Sequence, residues 1–321
     1  MSRRLEAVLS VCLFCVACSS GGQKSSSTGG QGGDEETGGA VGTGGKPGTG
    51  GSVGTGGSPG TGGAMPGTGG APASDAGPPD SGGKADVAAG PDLGAQPKFS
   101  FFVASLVAMR RLSGSQNGFG GDLRYGTADG LTGADKICTE IAESRRPGAG
   151  AKEWHAFLSA SKGADGMPVN AIDRIGEGPW YDFMGRIVAM NKAALLSARP
   201  MGADPAIIND LPNEFGIGNH RPDLSMPAVD NHHVLTGSDA MGRFYSANST
   251  CKDWTALTNA GRPRIGFSWP AGGRVNWISG QDEGGCGAGV NVGETGGSDP
   301  SNPIVGSGGG YGGIYCFAKA P

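Results

Sequence analysis

The sequence lacks three features that would each assign it to a familiar class: an excess of basic residues, a long apolar run and a catalytic signature. Its 25 lysines and arginines are outnumbered by 29 aspartates and glutamates, giving a formal net charge of −4. No basic patch therefore points to a nucleic-acid partner. Neither a P-loop nor the His-Glu-x-x-His motif of zinc proteases occurs. This favours a protein that is not an enzyme.

The one apolar run near the N-terminus is too short to span a bilayer stably. The chain opens with Met-Ser-Arg-Arg, continues with an apolar run from Val8 to Ala17 and then reaches Cys18. These are the marks of a secretory signal peptide. The letters Cys-Val-Ala-Cys, ending at Cys18, resemble the bacterial lipobox, whose last cysteine is diacylated and becomes the new N-terminus. We predict a signal peptide over residues 1–17 and lipidation of Cys18. The alternative is an ordinary signal peptide cut near Ala17.

A lipidated Cys18 predicts attachment to a membrane in the bacterial cell envelope. A diglyceride plus an amide-linked acyl chain exceeds the two lipid signals that stable anchoring needs. Ser19 rather than aspartate follows the cysteine. By resemblance to enterobacterial sorting, this indicates the outer membrane or cell surface.

Residues 18–97 are low in complexity and dominated by glycine, threonine, serine and proline. Their centre is a near-regular six-residue repeat built on Gly-Thr-Gly-Gly. Almost nothing apolar is present to offset the entropy of ordering the glycines. We predict a disordered tether with an r.m.s. span of about 50 Å. The alternative is a glycosylated stalk.

The seven cysteines fall into two groups. Three belong to the leader, and the other four are Cys138, Cys251, Cys286 and Cys316. An even number of cysteines in an exported domain predicts two disulfides, with three pairings open. The spacing is too wide for a zinc ribbon, and no Cys-x-x-Cys occurs outside the leader.

Residues 98–321 have the patterns of one α+β domain with few helices and many loops. The apolar run FSFFVASLVAM from Phe99 predicts an opening strand. Leu131–Arg146 has apolar residues at helical spacing, with Asp129 or Thr132 as its cap. Residues after Ser197 read mostly as loop. Short strands are expected at Glu153–Ser161, Arg264–Trp269, Trp277–Ser279 and Ile314–Ala318.

Three stretches carry a resemblance to a known family. Val234–Trp254 reads Val-x-x-Gly-Ser-Asp-x-x-Gly-Arg followed by a cysteine and a tryptophan, His155–Ser161 reads HAFLSAS, and Ile314–Phe317 reads IYCF. Together they resemble the C-type lectin-like domain of the endostatin-like type, as in uncharacterised bacterial surface lipoproteins. The resemblance covers Phe99–Ala318, but the insert Ser197–Val229 has no counterpart in it.

The resemblance implies a C-type lectin-like fold and two nested disulfides, Cys138–Cys316 and Cys251–Cys286. It also implies non-catalytic recognition of an extracellular protein or glycan. The Glu-Pro-Asn and Trp-Asn-Asp motifs of calcium-dependent sugar binding do not occur, so no cofactor is expected, with Ca²⁺ as the alternative. Two other functions stay open: an envelope hydrolase using the 197–233 insert, and a structural envelope component.

Candidate site residues follow from residue chemistry. Trp180 and Trp269, beside prolines and glycines, are candidates for exposed ligand-stacking rings, whereas Trp254 beside Cys251 is expected in the core.

The candidate polar contacts in the insert are Asp210, Asn213 and Glu214. The candidate metal ligands are Asp282, Glu283, His220 and His232. Adjacent His232 and His233 would point to opposite faces of a strand, so only one of them is expected to reach a given ion.

The hydrolase alternative would use Asp210, Glu214, His220 and His232. Arg243 is expected to pair with Asp239.

Overall fold

The structure is a computed structural model, and it describes residues 96–293, 297 and 299–321. The predicted signal peptide, Cys18 and the predicted tether up to residue 95 lie outside these residues. Eight short strands form the sheets: β1 Phe101–Val103, β2 Trp154–Ala156, β3 Trp180–Tyr181, β4 Ile187–Ala189, β5 His233–Leu235, β6 Arg264–Phe267, β7 Gln281–Asp282 and β8 Gly310–Ala318. Four right-handed α-helices accompany them: α1 Leu106–Ser113, α2 Gly130–Arg145, α3 Ala171–Arg174 and α4 Lys192–Leu195. The mixed α+β class is confirmed.

The main sheet is organised around β8, the last strand. β8 pairs antiparallel with β1 and with β2, and parallel with β5, while β6 and β7 extend the sheet beyond β5. Every residue of β8 is buried. The expected strand at Ile314–Ala318 is therefore confirmed and begins earlier, at Gly310. β3 and β4 form a separate two-stranded sheet.

The opening apolar run divides into a strand and a helix, so the prediction of one strand is only half right. β1 ends at Val103, and Ser105 then caps α1, its hydroxyl accepting a hydrogen bond from the backbone N–H of Ala108 at 3.1 Å. A serine cap of this kind favours the start of a helix at this point of the apolar run.

The predicted long helix is confirmed as α2. Asp129 is its N-cap and accepts the backbone N–H of Thr132 at 2.8 Å. Cys138 on the buried face of α2 is bonded to Cys316 in β8. In the chain-entropy estimate, a loop of this separation of 178 residues stabilises the fold by about 5 kcal/mol. The pairing implied by the resemblance is present.

The second disulfide, Cys251–Cys286, begins a left-handed turn. Cys251 to Trp254 all have positive φ, between 48° and 63°. Consecutive non-glycine residues in this region are costly. The turn is held by the disulfide, by burial of Trp254 and by the Asp253 carboxylate, which accepts the backbone N–H and the hydroxyl of Ser161 at 2.6 and 2.7 Å.

Tryptophans fill the two faces of the sheet. Trp254 is fully buried, and its indole N–H donates to the Ser159 carbonyl at 2.8 Å, so the core prediction is confirmed. Trp180 is also fully buried, donates to the Ala318 carbonyl at 3.0 Å and packs edge-on against Phe317. The prediction that Trp180 is exposed is therefore wrong. Its position in β3, facing the end of β8, makes it core.

Two smaller expectations are corrected by backbone contacts. Trp277–Ser279 is no strand, because the Trp277 N–H donates to the Ala198 carbonyl outside any sheet, and β7 begins only at Gln281. Asp239 accepts the backbone N–H of Met241 and of Arg243 at 2.8 and 2.9 Å. Its link to Arg243 is thus a turn contact through the backbone.

The insert from 197 to 229 contains no α-helix or strand among its residues, all of which are described. Arg199 attaches it to the sheet. The half-buried Arg199 side chain donates to the carbonyls of Ile208, Phe267 and Ser268 at 2.6 to 2.7 Å. Burial lowers the pKa of Arg199. Three charge-assisted bonds to carbonyls hold an irregular loop where regular secondary structure is absent.

Candidate functional site

The insert and α1 together enclose a pocket of about 430 Å³. We call it the insert pocket. Its lining is mainly apolar, with a small set of amide and charged side chains, and consists of Ser105, Leu106, Val107, Arg110, Asn213, Phe215, Ile217, Asn219, Pro222, Asp223, Met226, Val229, Asn231 and Val292. The size and the apolar character are those of small-ligand sites in proteins.

Of the three deeply buried asparagines in the lining, Asn213, Asn219 and Asn231, the last two carry unpaired amide atoms. Asn219 and Asn231 are 1% and 3% exposed. The Asn231 Nδ2 donates to the Asn219 carbonyl at 2.8 Å, and the Tyr311 hydroxyl lies 3.2 Å from Asn219 Oδ1. Among the described residues, Asn219 Nδ2 and Asn231 Oδ1 have no hydrogen-bond partner. One amide donor and one amide acceptor are thus left unpaired, and both atoms are buried beneath the pocket surface, so a ligand pairs them only after the two side chains turn toward the cavity.

Glu214 fixes the insert to the start of α1. Its carboxylate accepts the Ser105 hydroxyl at 2.6 Å and the Ser105 backbone N–H at 3.0 Å. The side chain is buried, and this burial raises the pKa of Glu214. Glu214, expected as a ligand contact, is occupied by Ser105 and positions the pocket wall. Asn213, also expected as a ligand contact, does line the pocket.

A second cluster is formed by His220, Asp230 and His232, which are next in sequence to Asn219 and Asn231. Asp230 Oδ1 is 2.9 Å from His220 Nε2 and 2.7 Å from His232 Nδ1. The three ligand atoms lie within 4.8 Å of one another. Trp269, the other candidate for an exposed ring, is half-buried and stacks on the His220 imidazole with centroids 3.8 Å apart and planes 4° apart.

Burial near this cluster shifts the pKa values of His232 and Asp210. Burial lowers the pKa of His232, helped by the neighbouring His233 and opposed by Asp230. Burial raises the pKa of Asp210 to about 6, although the backbone N–H groups of His220 and Asn219 oppose the rise. The neutral form of each group is therefore favoured well beyond its ordinary range.

The other predicted metal ligands lie with different partners. Glu283 Oε1 is 2.7 Å from His233 Nδ1, and both side chains are buried. Asp282 accepts from the Arg264 guanidinium at 3.2 Å. His232 and His233 contact different carboxylates, Asp230 and Glu283. The expectation that they point to opposite faces of a strand is wrong, because β5 begins at His233 and the two rings lie 4.3 Å apart, both against Phe267.

The hydrolase alternative needs Asp210, Glu214, His220 and His232 in one centre. His220 and His232 do meet, through Asp230, and the Asp210 carboxylate accepts the backbone N–H of His220 at 3.0 Å. Both oxygens of Glu214, however, are taken by Ser105. The geometry therefore brings together the histidines and leaves Glu214 outside their contacts.

Sequence reasoning missed Asp230, Asn219 and Asn231 as site residues. For Asp230 the signal was available: it lies two residues before His232, and in extended chain such residues share a face. For the asparagines no local signal existed, because their side chains meet only through the pairing of residues 219–220 with 231.

No protein-family model matches this chain, and no curated protein matches it either. Across the described residues, no helix has both the length and the apolar character needed to cross a membrane.

Proposed function

We propose that this protein is a lipid-anchored cell-envelope protein whose C-terminal domain recognises an extracellular ligand without catalysis. The observation that carries the proposal is the insert pocket, an apolar cavity whose lining includes two asparagines that each hold one buried, unpaired amide atom. The lipobox-like leader supports the anchor, and the two disulfides fit an oxidising compartment.

We assign the domain to the C-type lectin-like fold of the endostatin-like type as part of this proposal. Its support is the set of matching stretches, the mixed α+β architecture and the nested pairing of the four cysteines. A fold assignment says little about ligand identity, because function resides in the site. The ligand is therefore argued from the insert pocket alone.

The chemistry of the insert pocket favours an amide group carried on a small apolar frame. A secondary amide presents one N–H and one carbonyl, which complement Asn231 Oδ1 and Asn219 Nδ2 once these two buried side chains turn to face the cavity. A methyl or ring next to that amide fits walls such as Leu106, Phe215 and Ile217. The acetamido groups of envelope glycans have this chemistry, so we propose an N-acetylated glycan as the ligand.

Binding of N-acetylglucosamine oligomers to the untagged full-length protein tests the proposal, with fully deacetylated oligomers of the same length as the matched probe. We expect saturation-transfer signals from the acetyl methyl groups and no binding of the deacetylated oligomers. Glycan and peptidoglycan arrays extend the test to other sugars. Blank arrays together with absent methyl signals would contradict glycan recognition.

A pair of variants locates the binding. Val107, in the pocket lining on α1, is 68% exposed, and Leu257, outside the insert pocket, is 78% exposed. Val107→Asp introduces a charge that an apolar ligand must desolvate, so we expect binding at least about tenfold weaker. Leu257→Asp should bind as the wild type does. Equal glycan affinity of the two variants would show that the glycan binds outside the insert pocket.

A further inference from the structure

We propose that His220, Asp230 and His232 form a binding site for a divalent first-row transition metal of the Zn²⁺ type. The cluster is separate from the polar groups of the insert pocket and does not depend on glycan recognition. Two imidazole nitrogens and one carboxylate oxygen are a donor set that suits zinc and its neighbours in the series. The hard-cation alternative, calcium, takes six to eight oxygen ligands, and only one of these three donors is an oxygen.

The spacing of the donor atoms is close to that of a metal centre. In tetrahedral coordination with bonds of about 2.0–2.1 Å, neighbouring ligand atoms are about 3.3 Å apart. The Asp230 oxygen is 2.9 and 2.7 Å from the two histidine nitrogens. Small side-chain movements would therefore open the cluster enough for an ion. The proton that each nitrogen shares with Asp230 would then lie on the other nitrogen of its ring or leave to solvent.

The protein holds each imidazole in place from several directions. The His220 backbone N–H donates to Asp210 and its ring stacks on Trp269. The His232 backbone N–H donates to the Gly309 carbonyl, and its ring lies nearly parallel to Phe267 at 5.4 Å. Such packing fixes a ligand before the ion arrives, which lowers the entropic cost of binding.

Gly309 is a further sign that the His232 ring has a defined position. Its φ is +131°, and a Cβ built there would lie 2.7 Å from His232 Cε1. Only glycine allows the chain to pass so close to the imidazole.

The cluster leaves one side open. The imidazole side chains are 6% and 4% exposed, whereas the Asp230 side chain is 19% exposed. An ion would enter past Asp230 and keep a coordination position for water or a ligand atom, as three-ligand zinc sites do.

The experiment uses the untagged full-length chain, stripped with a chelator and titrated with Zn²⁺ by calorimetry. We expect one equivalent bound per chain, and Co²⁺ in its place should give the visible bands of a tetrahedral or five-coordinate centre. His220→Ala and His232→Ala should each weaken Zn²⁺ binding by about 100-fold or more, because each removes a direct ligand and outer partners alone are worth 10–100-fold.

The matched control is His155→Ala. His155 also lies between two carboxylates, Asp135 at 2.9 Å and Glu153 at 3.3 Å, and should leave Zn²⁺ affinity unchanged. Asp230→Asn keeps an oxygen that accepts from both histidines and removes the charge, so it tests the site if an alanine variant fails to fold. Absence of Zn²⁺ binding by the wild type would overturn the proposal. So would equal affinities in wild type, Asp230→Asn and His155→Ala.

Discussion

Asp210 shows how the insert alters the chemistry of a single residue. Its carboxyl lies under residues 218–220, where a Cβ on Gly218 would be 2.1 Å from Asp210 Oδ2. Burial raises its pKa to about 6, and the N–H groups of His220 and Asn219 only partly offset this. Any side chain at position 218 would therefore displace the Asp210 carboxyl from its buried position.

We expect the Asp210 side chain to titrate with a midpoint near pH 6, which is measured from its carboxyl ¹³C shift by NMR. The folded pKa lies above the unfolded value of 3.8. Between these values the folded state holds a proton that the unfolded state has lost, so this residue's contribution to stability falls as pH rises from 3.8 to about 6. Asp210→Asn should remove that fall.

Asp223, in the same insert, is the control. Its hydrogen bonds to Ser225 lower its pKa, so its carboxyl should titrate below the ordinary range. His232 acts in the opposite direction in an overlapping window, because its lowered pKa makes stability fall as pH decreases below 6.5. The comparison is therefore between wild type and Asp210→Asn at each pH. A midpoint near 4 for Asp210 would show that it is solvated.

At the scale of secondary structure, the sequence predicts what is determined locally. α2 follows from apolar spacing and an Asp129 cap, and β8 follows from a short apolar run. The apolar pattern does not predict the helix α1, because its apolar residues continue those of β1 and the signal that separates them is the Ser105 cap. The insert pocket could not be predicted from local sequence, because the Ser105–Glu214 contact that forms its wall joins residues 109 positions apart.

The left-handed turn at Cys251–Trp254 is the element with the clearest backbone cost. Lys252 is exposed and has φ 54° and ψ 51°. A non-glycine residue there costs about 1–2 kcal/mol, whereas glycine adopts it freely but loses about 0.5–1 kcal/mol more entropy on folding. We expect Lys252→Gly to raise the free energy of unfolding by about 0.5–1 kcal/mol, measured by denaturant titration.

Lys136→Gly gives the opposite sign and serves as the control. Lys136 lies inside α2, where glycine costs about 1 kcal/mol relative to good helix formers. A loss of stability in both variants would mean that the left-handed turn relaxes in solution to a conformation that lysine tolerates.

At the scale of the whole molecule, long-range links replace secondary structure. The Cys251–Cys286 bridge closes a separation of 35 residues, worth about 4 kcal/mol in the chain-entropy estimate, within the larger loop closed by Cys138–Cys316. Arg199 and Glu214 add contacts that attach the insert to β6 and α1. A domain with so many loops can thus present a preformed pocket, and preorganisation of this kind lowers the cost of binding a ligand.

The placement of that pocket in the cell depends on Cys18, under our proposal of a lipid anchor. Cys18→Ala removes the thiol that would carry the diglyceride. Without the lipid chains, the short apolar run of the leader is the only remaining membrane signal in the predicted anchor, and a single weak signal does not hold a protein at a membrane. In a bacterial host, we expect the variant to incorporate no labelled palmitate and to leave the membrane fraction. Cys12→Ala, in the same leader but outside the lipobox-like letters, should keep both the label and the membrane location. Label retained by Cys18→Ala, or absent from the wild type, would leave the ordinary signal peptide as the correct interpretation and the C-terminal domain as a released protein.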